Sequence, residues 1–282
     1  MFIGLLITGV FAAGGYKVWQ FVRGKVLASE EYRLTPEKIQ LTPWPLPDWV
    51  QPDPRLDAFD RLRRRGPVSI MDDDLVERVT AAFEQNAWVA KVHKVGKEYP
   101  ATVKVELDYR RPVLMVQIDA QASQVYYAVD AEGISLPTQG CFTPVELAKY
   151  PRLVGVERAP ATGMGKRWGD SRVIGGAEIA AAFSLPVWEK LHLKWIVPRA
   201  ISPGAAGTTA DLTQSPQFGE YFFEIIVQGT PNDERFYWGR SPIDKNSQDL
   251  SPAQKVKKLE NLAAEFGGLD RCPEKYRDLN RP

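Results

Sequence analysis

The sequence predicts an α+β protein with two domains behind an apolar N-terminal segment. Three observations carry this prediction: a helical apolar stripe follows Asp72, an alternating strand follows Pro100, and a capped helix starts at Ser251. Between the last two, short runs of β-branched and aromatic residues alternate with turn residues. This pattern indicates a mixed, mostly antiparallel sheet with flanking helices. The length of 282 residues is enough for two domains of common size.

The first element is the apolar segment at residues 1–25. Met1–Tyr16 carries no charge, and a helix continued to Val22 would be about 33 Å long, enough to cross a ~30 Å hydrocarbon core. We therefore expect a transmembrane anchor in the lipid bilayer; a buried helix of a soluble protein is the alternative. Basic residues follow the segment, so the positive-inside rule would place the rest of the chain in the cytoplasm.

Residues 26–118 are expected to form the first domain, in the order strand, helix, helix, strand, strand. A proline-rich approach holds a short strand within Tyr32–Leu41, and a helix follows over Pro54–Arg65. The buried face of that helix is expected to contain Leu56, Phe59 and Leu62. The end of this helix is strongly basic and contains Arg61, Arg63, Arg64 and Arg65. It is expected to be either a solvated helix terminus or a contact site for a lipid headgroup or a partner.

The second helix and the two strands of this domain are the most regular part of the pattern. An apolar stripe at helical spacing contains Leu75, Val76, Val79 and Phe83. Trp88 then enters a strand, and after Pro100 the apolar residues Val103, Val105 and Leu107 alternate with charged ones, as in a strand buried on one face. Arg110–Val113 closes this unit and leads to Leu114–Val116.

Residues 119–282 are expected to form the second domain. Two hairpins are predicted. The first pairs Val125–Val129 with Ile134–Leu136 and turns at Gly133, and the second pairs Phe222–Val227 with Arg235–Trp238. A helix over Arg172–Phe183 and a strand over Leu191–Val197 lie between them. Ser251 and Gln254 form a capping box that starts the last helix, and Gly267 ends it.

Residues suited to chemistry are few. A net charge of +1, from 36 basic and 35 acidic residues, gives no electrostatic sign of nucleic-acid binding. Of the two histidines, His93 lies in a strand and favours an exposed or half-buried role over that of a base. Gly163–Lys166 is not a phosphate loop because Pro160 stands where that motif needs glycine. We expect no cofactor, metal or small-molecule substrate.

Three further groups leave alternatives open. Asp72–Asp74 suits helix-capping anions better than calcium ligands, because no loop of alternating oxygen ligands follows. Glu220 with Glu224 is a conceivable carboxylate pair for glycan hydrolysis, although nothing selects these two. Cys141 and Cys272 either form a disulfide or remain free thiols.

A resemblance to a known family rests on a set of residues and on their order along the chain. In the first domain these are Trp88, Val89, Pro100, Arg110 and Pro112, and in the second they are Asp130, Gly133, Gly155 and Gly239. With them, nearly the whole chain resembles the FtsQ/DivIB family of bacterial cell-division proteins, which combine a membrane anchor, a POTRA domain and a β-domain. Tyr109 departs from the glutamate usual in the family. The interval from Trp88 to Pro100 is one residue longer, which indicates either a β-bulge after Val92 or a shifted alignment.

The resemblance implies a non-enzymatic scaffold that crosses the inner membrane once, with the bulk of the chain periplasmic, and recruits FtsB/FtsL-like division proteins during septum formation. This orientation is opposite to that of the positive-inside rule. We expect strand addition to a sheet edge as the mode of binding. The candidate partner-binding residues form two groups. The first is Phe236, Tyr237 and Trp238, for which the alternative is plain core packing. The second is the candidate edge segment Tyr276, Arg277, Asp278 and Leu279, for which the alternative is a frayed terminus. Alternatives are a POTRA-bearing adaptor in envelope secretion or assembly and an envelope glycan-binding or hydrolase domain.

Overall fold

The computed structural model describes residues 30–64, 66–120, 123–200, 221–228, 234–240 and 249–280. The fold is α+β with mixed sheets, as predicted, and the chain divides into two compact units, Met1–Tyr109 and Arg110–Pro282. The predicted anchor at residues 1–25 lies outside the described residues. Within the described residues, no helix has both the length and the apolar character that a membrane span requires.

The first unit has the predicted order of strand, helix, helix, strand, strand. Its elements are β1 (Ile39–Thr42), α1 (Pro54–Arg63), α2 (Leu75–Glu84), β2 (Val89–Glu98) and β3 (Thr102–Tyr109). The sheet order is β1-β3-β2, with β1 parallel and β2 antiparallel to β3. The first strand starts later than the segment predicted for it. Leu34 instead donates its N–H to the carbonyl oxygen of Val68 at 2.9 Å.

Helical and strand periodicity predict most of the first core correctly. Val103, Val105 and Leu107 are at most 1% exposed, as the alternation in β3 requires. The prediction for α1 was wrong at Leu56, which is 53% exposed, because the helix instead buries Pro54, Ala58 and Leu62. At 3.6 residues per turn Leu56 lies about 200° around the helix from Pro54, so the two cannot share a face.

Strand β2 forms one edge of the first sheet and is irregular. Its register to β3 shifts between Val89 and Lys91 and again between Val92 and Lys94. The second shift is a β-bulge after Val92, which is one of the two explanations given for the longer interval from Trp88 to Pro100. Bulges and lysines on an edge strand hinder pairing with other chains, and β2 carries Lys91, Lys94 and Lys97.

The second unit is a seven-stranded mixed sheet with helices. Its strands are β4 (Pro112–Ala120), β5 (Ser123–Asp130), β6 (Ser135–Leu136), β7 (Arg152–Leu153), β8 (Leu193–Ala200), β9 (Tyr221–Val227) and β10 (Arg235–Arg240). Its α-helices are α3 (Pro144–Lys149), α4 (Ser171–Ala181), α5 (Leu185–Lys190) and α6 (Pro252–Phe266). The strand order is β10-β9-β8-β7-β4-β5-β6. The only parallel pairings between these strands are those of β7 with its two neighbours, β4 and β8. Helices α3 and α5 were not predicted, because six residues are too few to show a helical period.

The boundary between the units lies at Tyr109 and Arg110, nine residues before the predicted start of the second domain at 119. Strand β4 is the reason, since it pairs with β5 and β7 in the second sheet. Leu114, Val116 and Ile118 point into the core of that unit. An alternating pattern identifies a strand and its buried face, but it does not say which sheet the strand joins.

Helix α6 closes the second core as predicted. The side chain of Ser251 accepts from the N–H of Gln254, the reciprocal bond of the capping box is present, and Gly267 takes the left-handed conformation at φ +69°. Leu259 and Leu262 are buried in the same core cluster. Lys255 also lies on this buried face, which the sequence reading missed.

Candidate partner-binding site

Strand β10 forms one edge of the second sheet, and its side chains alternate between the two faces. Phe236 and Trp238 are 0% exposed and belong to the core, whereas Tyr237 points the other way and is 45% exposed. Of the three β10 residues expected to face a partner, only Tyr237 is therefore available at the surface.

The C-terminal segment, Tyr276–Asn280, covers the outer edge of β10. Tyr237 donates its N–H to the carbonyl oxygen of Arg277 at 2.8 Å and accepts from the N–H of Leu279 at 3.1 Å. The pairing is a single parallel bridge between Tyr237 and Asp278. Leu279 is 0% exposed and anchors the segment in the core, so the segment is not the frayed terminus that was the alternative to an edge.

Side-chain contacts also hold the C-terminal segment in place. Lys258 Nζ donates to the carbonyl oxygen of Asp278 at 3.2 Å. The guanidinium of Arg277 donates to the carbonyl oxygen of Cys272 and forms an ion pair with Glu234. Tyr276, which is 37% exposed, stacks against Phe266 with ring centroids 5.5 Å apart. Of the elements that the structure describes, the segment is thus the outermost at this end of the sheet.

The register of β10 to β9 shifts between Tyr237 and Gly239, and a buried lysine holds this bulge. Lys255 is 2% exposed, and its Nζ lies 2.5 Å from the carbonyl oxygen of Trp238 and 3.3 Å from Oδ2 of Asp249. Burial lowers the pKa of Lys255, and the nearby carboxylate of Asp249 opposes this effect. Asn280 Nδ2 donates to the same carbonyl of Trp238 at 3.2 Å, so the bulge and the C-terminal segment share one acceptor.

The outer face beside Tyr237 carries a cross-strand charge cluster. Oε2 of Glu224 lies 3.0 Å from Nε of Arg199 and 3.1 Å from Nη1 of Arg235. Glu224 is 6% exposed, whereas the side chains of both arginines are about 40% exposed. Two guanidiniums share one carboxylate, which leaves the cluster net positive. Tyr237 stands opposite Glu224 in the register of β9 and β10.

The residues that carry the family resemblance occupy structural positions. Trp88 and Val89 are buried where β2 begins, Pro100 lies in the turn to β3, and Pro112 begins β4. Gly155 has a φ of +81° just after β7. Arg110 forms a 2.8 Å ion pair with Asp130 at the turn that contains Gly133, whose φ is +76°.

The groups considered above for catalysis, metal binding or phosphate binding have structural partners instead. His93 Nε2 lies 2.7 Å from Oδ2 of Asp108 on the neighbouring strand. Asp72 accepts from the N–H of Ser69 and from Arg78, and none of the described residues forms a group of three potential metal ligands. Gly163–Lys166 packs against β6 instead of starting a helix, since the N–H of Gly165 donates to Ser135.

The structure also describes both cysteines and one member of the candidate carboxylate pair. Cys141 and Cys272 are not joined in a disulfide, and burial raises the pKa of each thiol. Glu220 lies outside the described residues. Glu224 forms ion pairs with Arg199 and Arg235, so its carboxylate is already bound by two guanidiniums.

A cavity between α1 and α2, of about 480 Å³, was not predicted from the sequence. Arg61 and Arg78 line it, but Arg61 already pairs with Asp57 and Arg78 with Asp72 and Asp74. Both of these guanidiniums therefore already have carboxylate partners. The C-terminal edge of the second sheet is the stronger candidate site.

No protein-family model matches the chain, and no curated protein matches it either.

Proposed function

We propose that this protein is a non-enzymatic, membrane-anchored scaffold of the bacterial division machinery that binds FtsB/FtsL-like partners at the β10 end of its second sheet. One observation carries the proposal. The outermost element of that sheet, Tyr276–Asn280, touches β10 through a single bridge, beside the exposed ring of Tyr237 and the net-positive cluster of Arg199, Glu224 and Arg235.

The order of the elements supports the same reading. A β-α-α-β-β unit with the strand order β1-β3-β2 precedes a mixed, mostly antiparallel sheet, which is the order that the resemblance to FtsQ/DivIB proteins implies. A sheet edge offers backbone N–H and C=O groups to an added strand, and neighbouring aromatic and charged side chains provide specificity.

The proposed contact places a partner strand along the outer side of the C-terminal segment. On that side the carbonyl oxygen of Asp278 accepts a hydrogen bond from Nζ of Lys258. A backbone N–H of the incoming strand replaces this donor, because the lysine side chain is long and flexible. The partner's side chains then lie over Tyr237 and Tyr276. Acidic partner residues are favoured, because among the described residues Arg199 and Arg235 share one carboxylate.

The alternatives lack such an observation. An envelope hydrolase needs converging carboxylates in a cleft, and Glu224, the described member of the candidate pair, is bound to two arginines. An adaptor in secretion or envelope assembly is not favoured by any feature of the described residues.

Depletion of the protein in its own cells tests the proposal. Loss of the protein is expected to give filamentous cells, and a fluorescent fusion is expected to gather at the division site. Tyr237→Lys is expected to abolish rescue, because it removes an aromatic contact and adds a cation beside Arg235. Tyr99→Lys is the matched control, since Tyr99 is 72% exposed in the first unit. Normal division after depletion, or equal rescue by both variants, would refute the proposal.

Membrane topology gives a second test. A reporter that is active only outside the cytoplasm, fused after Pro282, is expected to be active. Activity of a cytoplasmic reporter alone at that position would uphold the positive-inside rule and rule out the proposed scaffold.

A further inference from the structure

Strand β5 leaves part of the opposite end of the second sheet unpaired. Strand β6 pairs only with Ala128 and Val129 of β5. Towards the N-terminus of β5, at residues 124–127, no described strand lies on the outer side. This open edge is distinct from the partner-binding site, which lies at β10.

The direction of the backbone groups follows from the hydrogen bonds of β5. The N–H of Ala128 points away from β4, since it donates to Oγ1 of Thr138 at 2.6 Å. Alternate residues of a strand direct their backbone groups to the same side. Gln124 and Tyr126 therefore present their N–H and C=O groups outward, while Val125 and Tyr127 bond towards β4.

The open edge lacks the features that normally prevent strand pairing. Residues 124–127 read Gln-Val-Tyr-Tyr, without charge or proline, and their register to β4 is regular. Strand β2 is the contrasting case, because it carries two register shifts and Lys91, Lys94 and Lys97. Edge strands of soluble proteins usually need such protection, so its absence at β5 indicates a surface that is covered in use.

One side chain on this edge is apolar and uncovered. Val125 lies opposite Ile118 and so points to the face of the sheet that carries the core, yet it is 37% exposed. Ile118 is 7% exposed. A strand added beside β5 would bury Val125 and extend the core face past the end of the sheet.

We propose that the β5 edge binds the β5 edge of a second copy of this chain, antiparallel and centred on Val125. In this register Val125 faces Val125 of the second copy, and Gln124 faces its Tyr126. Directly opposed residues of an antiparallel pair point to the same face, so both apolar valines meet on the core side. The outward groups of Gln124 and Tyr126 supply four backbone hydrogen bonds.

Charge and sterics favour this occupant and this register. Residues 124–127 are uncharged, so two copies bring no like charges together, whereas pairing of two β2 edges would oppose lysines. The register also stops short of Ala128, where β6 begins to cover the edge. The overlap is far shorter than an interface of ~800 Å² per partner requires, so we expect a weak, reversible dimer.

Cysteine cross-linking of the full chain in its own membranes tests the proposal. In a non-hydrogen-bonded antiparallel pair the Cα atoms are about 4.5 Å apart, within the range for a disulfide. Val125→Cys, made together with Cys141→Ser, is therefore expected to give a disulfide-linked dimer under mild oxidation. Val145→Cys in the same background is the control, because Val145 is 71% exposed and belongs to α3, not to the β5 edge. Equal cross-linking of both variants, or none at Val125→Cys, would overturn the proposal.

Sedimentation of the purified full chain in detergent gives an independent readout. Val125→Lys places a cation at the centre of the interface and is expected to weaken dimerisation by about tenfold or more. Circular dichroism and the melting temperature should remain those of the original chain, because Val125 is exposed. A chain that stays monomeric at all concentrations would show that the edge does not bind a second copy.

Discussion

The guanidinium of Arg110 lies 2.8 Å from Oδ2 of Asp130, and both side chains are largely buried. Oδ1 of the same carboxylate accepts from the N–H groups of Glu132 and Ile134, each at 2.9 Å. One aspartate therefore joins the first residue of the second unit to the turn between β5 and β6. A single side chain holds two segments that are twenty residues apart in the chain.

Replacement of Asp130 tests how much this carboxylate contributes. Asp130→Ala is expected to lower the free energy of unfolding by about 3 kcal/mol, because it removes the buried carboxylate that accepts from the Arg110 guanidinium and from two turn N–H groups. Urea denaturation followed by tryptophan fluorescence measures the change. Glu132→Ala is the control, since Glu132 is 75% exposed and lies 3.5 Å from Arg110. A similar loss in both variants would contradict a special role of Asp130.

Arg110 and Asp130 also show where sequence reasoning reaches its limit. Both were identified as residues that carry the family resemblance, but the predicted boundary at residue 119 placed them in different domains. Alternation in β4 is local information, whereas the choice of sheet depends on which distant strands bury Leu114 and Val116. Local periodicity therefore predicts the elements better than their assembly.

The candidate site shows the same division between local and long-range information. Alternation along β10 separates Tyr237 from Phe236 and Trp238, but it does not say which face the helices cover. The anchoring of Leu279 depends on a tertiary contact that no local pattern contains. Lys255 could have been recognised, because it precedes Leu259 by four residues on the apolar stripe of α6.

Loss of the buried amine of Lys255 is expected to destabilise the second unit. Lys255→Met keeps the length of the side chain but removes a donor from the carbonyl oxygen of Trp238 and from Asp249. We expect the free energy of unfolding to fall by about 2 kcal/mol, since Asp249 is partly exposed and regains water. Lys257→Met on the exposed face of α6 should change it by less than about 0.5 kcal/mol. Denaturation by urea distinguishes the two outcomes, and equal values would mean that the buried amine contributes nothing.

Gly239 is expected to tolerate no side chain. Its φ is +99°, and an added Cβ would overlap Oδ2 of Asp249 and Nδ2 of Asn280. Gly239→Ala should therefore lower the free energy of unfolding by about 3 kcal/mol, through backbone strain and displacement of both side chains. Gly163→Ala is the matched control, because its φ is +78° and an added Cβ meets nothing within 4 Å. The control should cost only about 1 kcal/mol in the same thermal or urea unfolding measurement.

Tyr109 is expected to make the first unit sensitive to alkali. Its hydroxyl is buried and has no hydrogen-bond partner among the residues that the structure describes. Burial, followed by the nearby carboxylate of Asp53, raises the pKa of Tyr109 to about 12. The folded state therefore keeps its proton above pH 10, where the unfolded chain loses it. Stability from this group is fully present below about pH 10 and is lost as the pH rises towards about 12.

Tyr109→Phe separates this effect from other titrations. At pH 7 the variant should be as stable as the original chain or slightly more so, because it removes a buried hydroxyl that has no partner. Between about pH 10 and 12 the original chain should lose about 1–2 kcal/mol more than the variant, allowing for solvent screening around a half-buried ring. Urea unfolding at pH 8 and at pH 11 measures this difference. Parallel pH profiles for the two proteins would mean that the phenol of Tyr109 ionises as readily in the folded as in the unfolded chain.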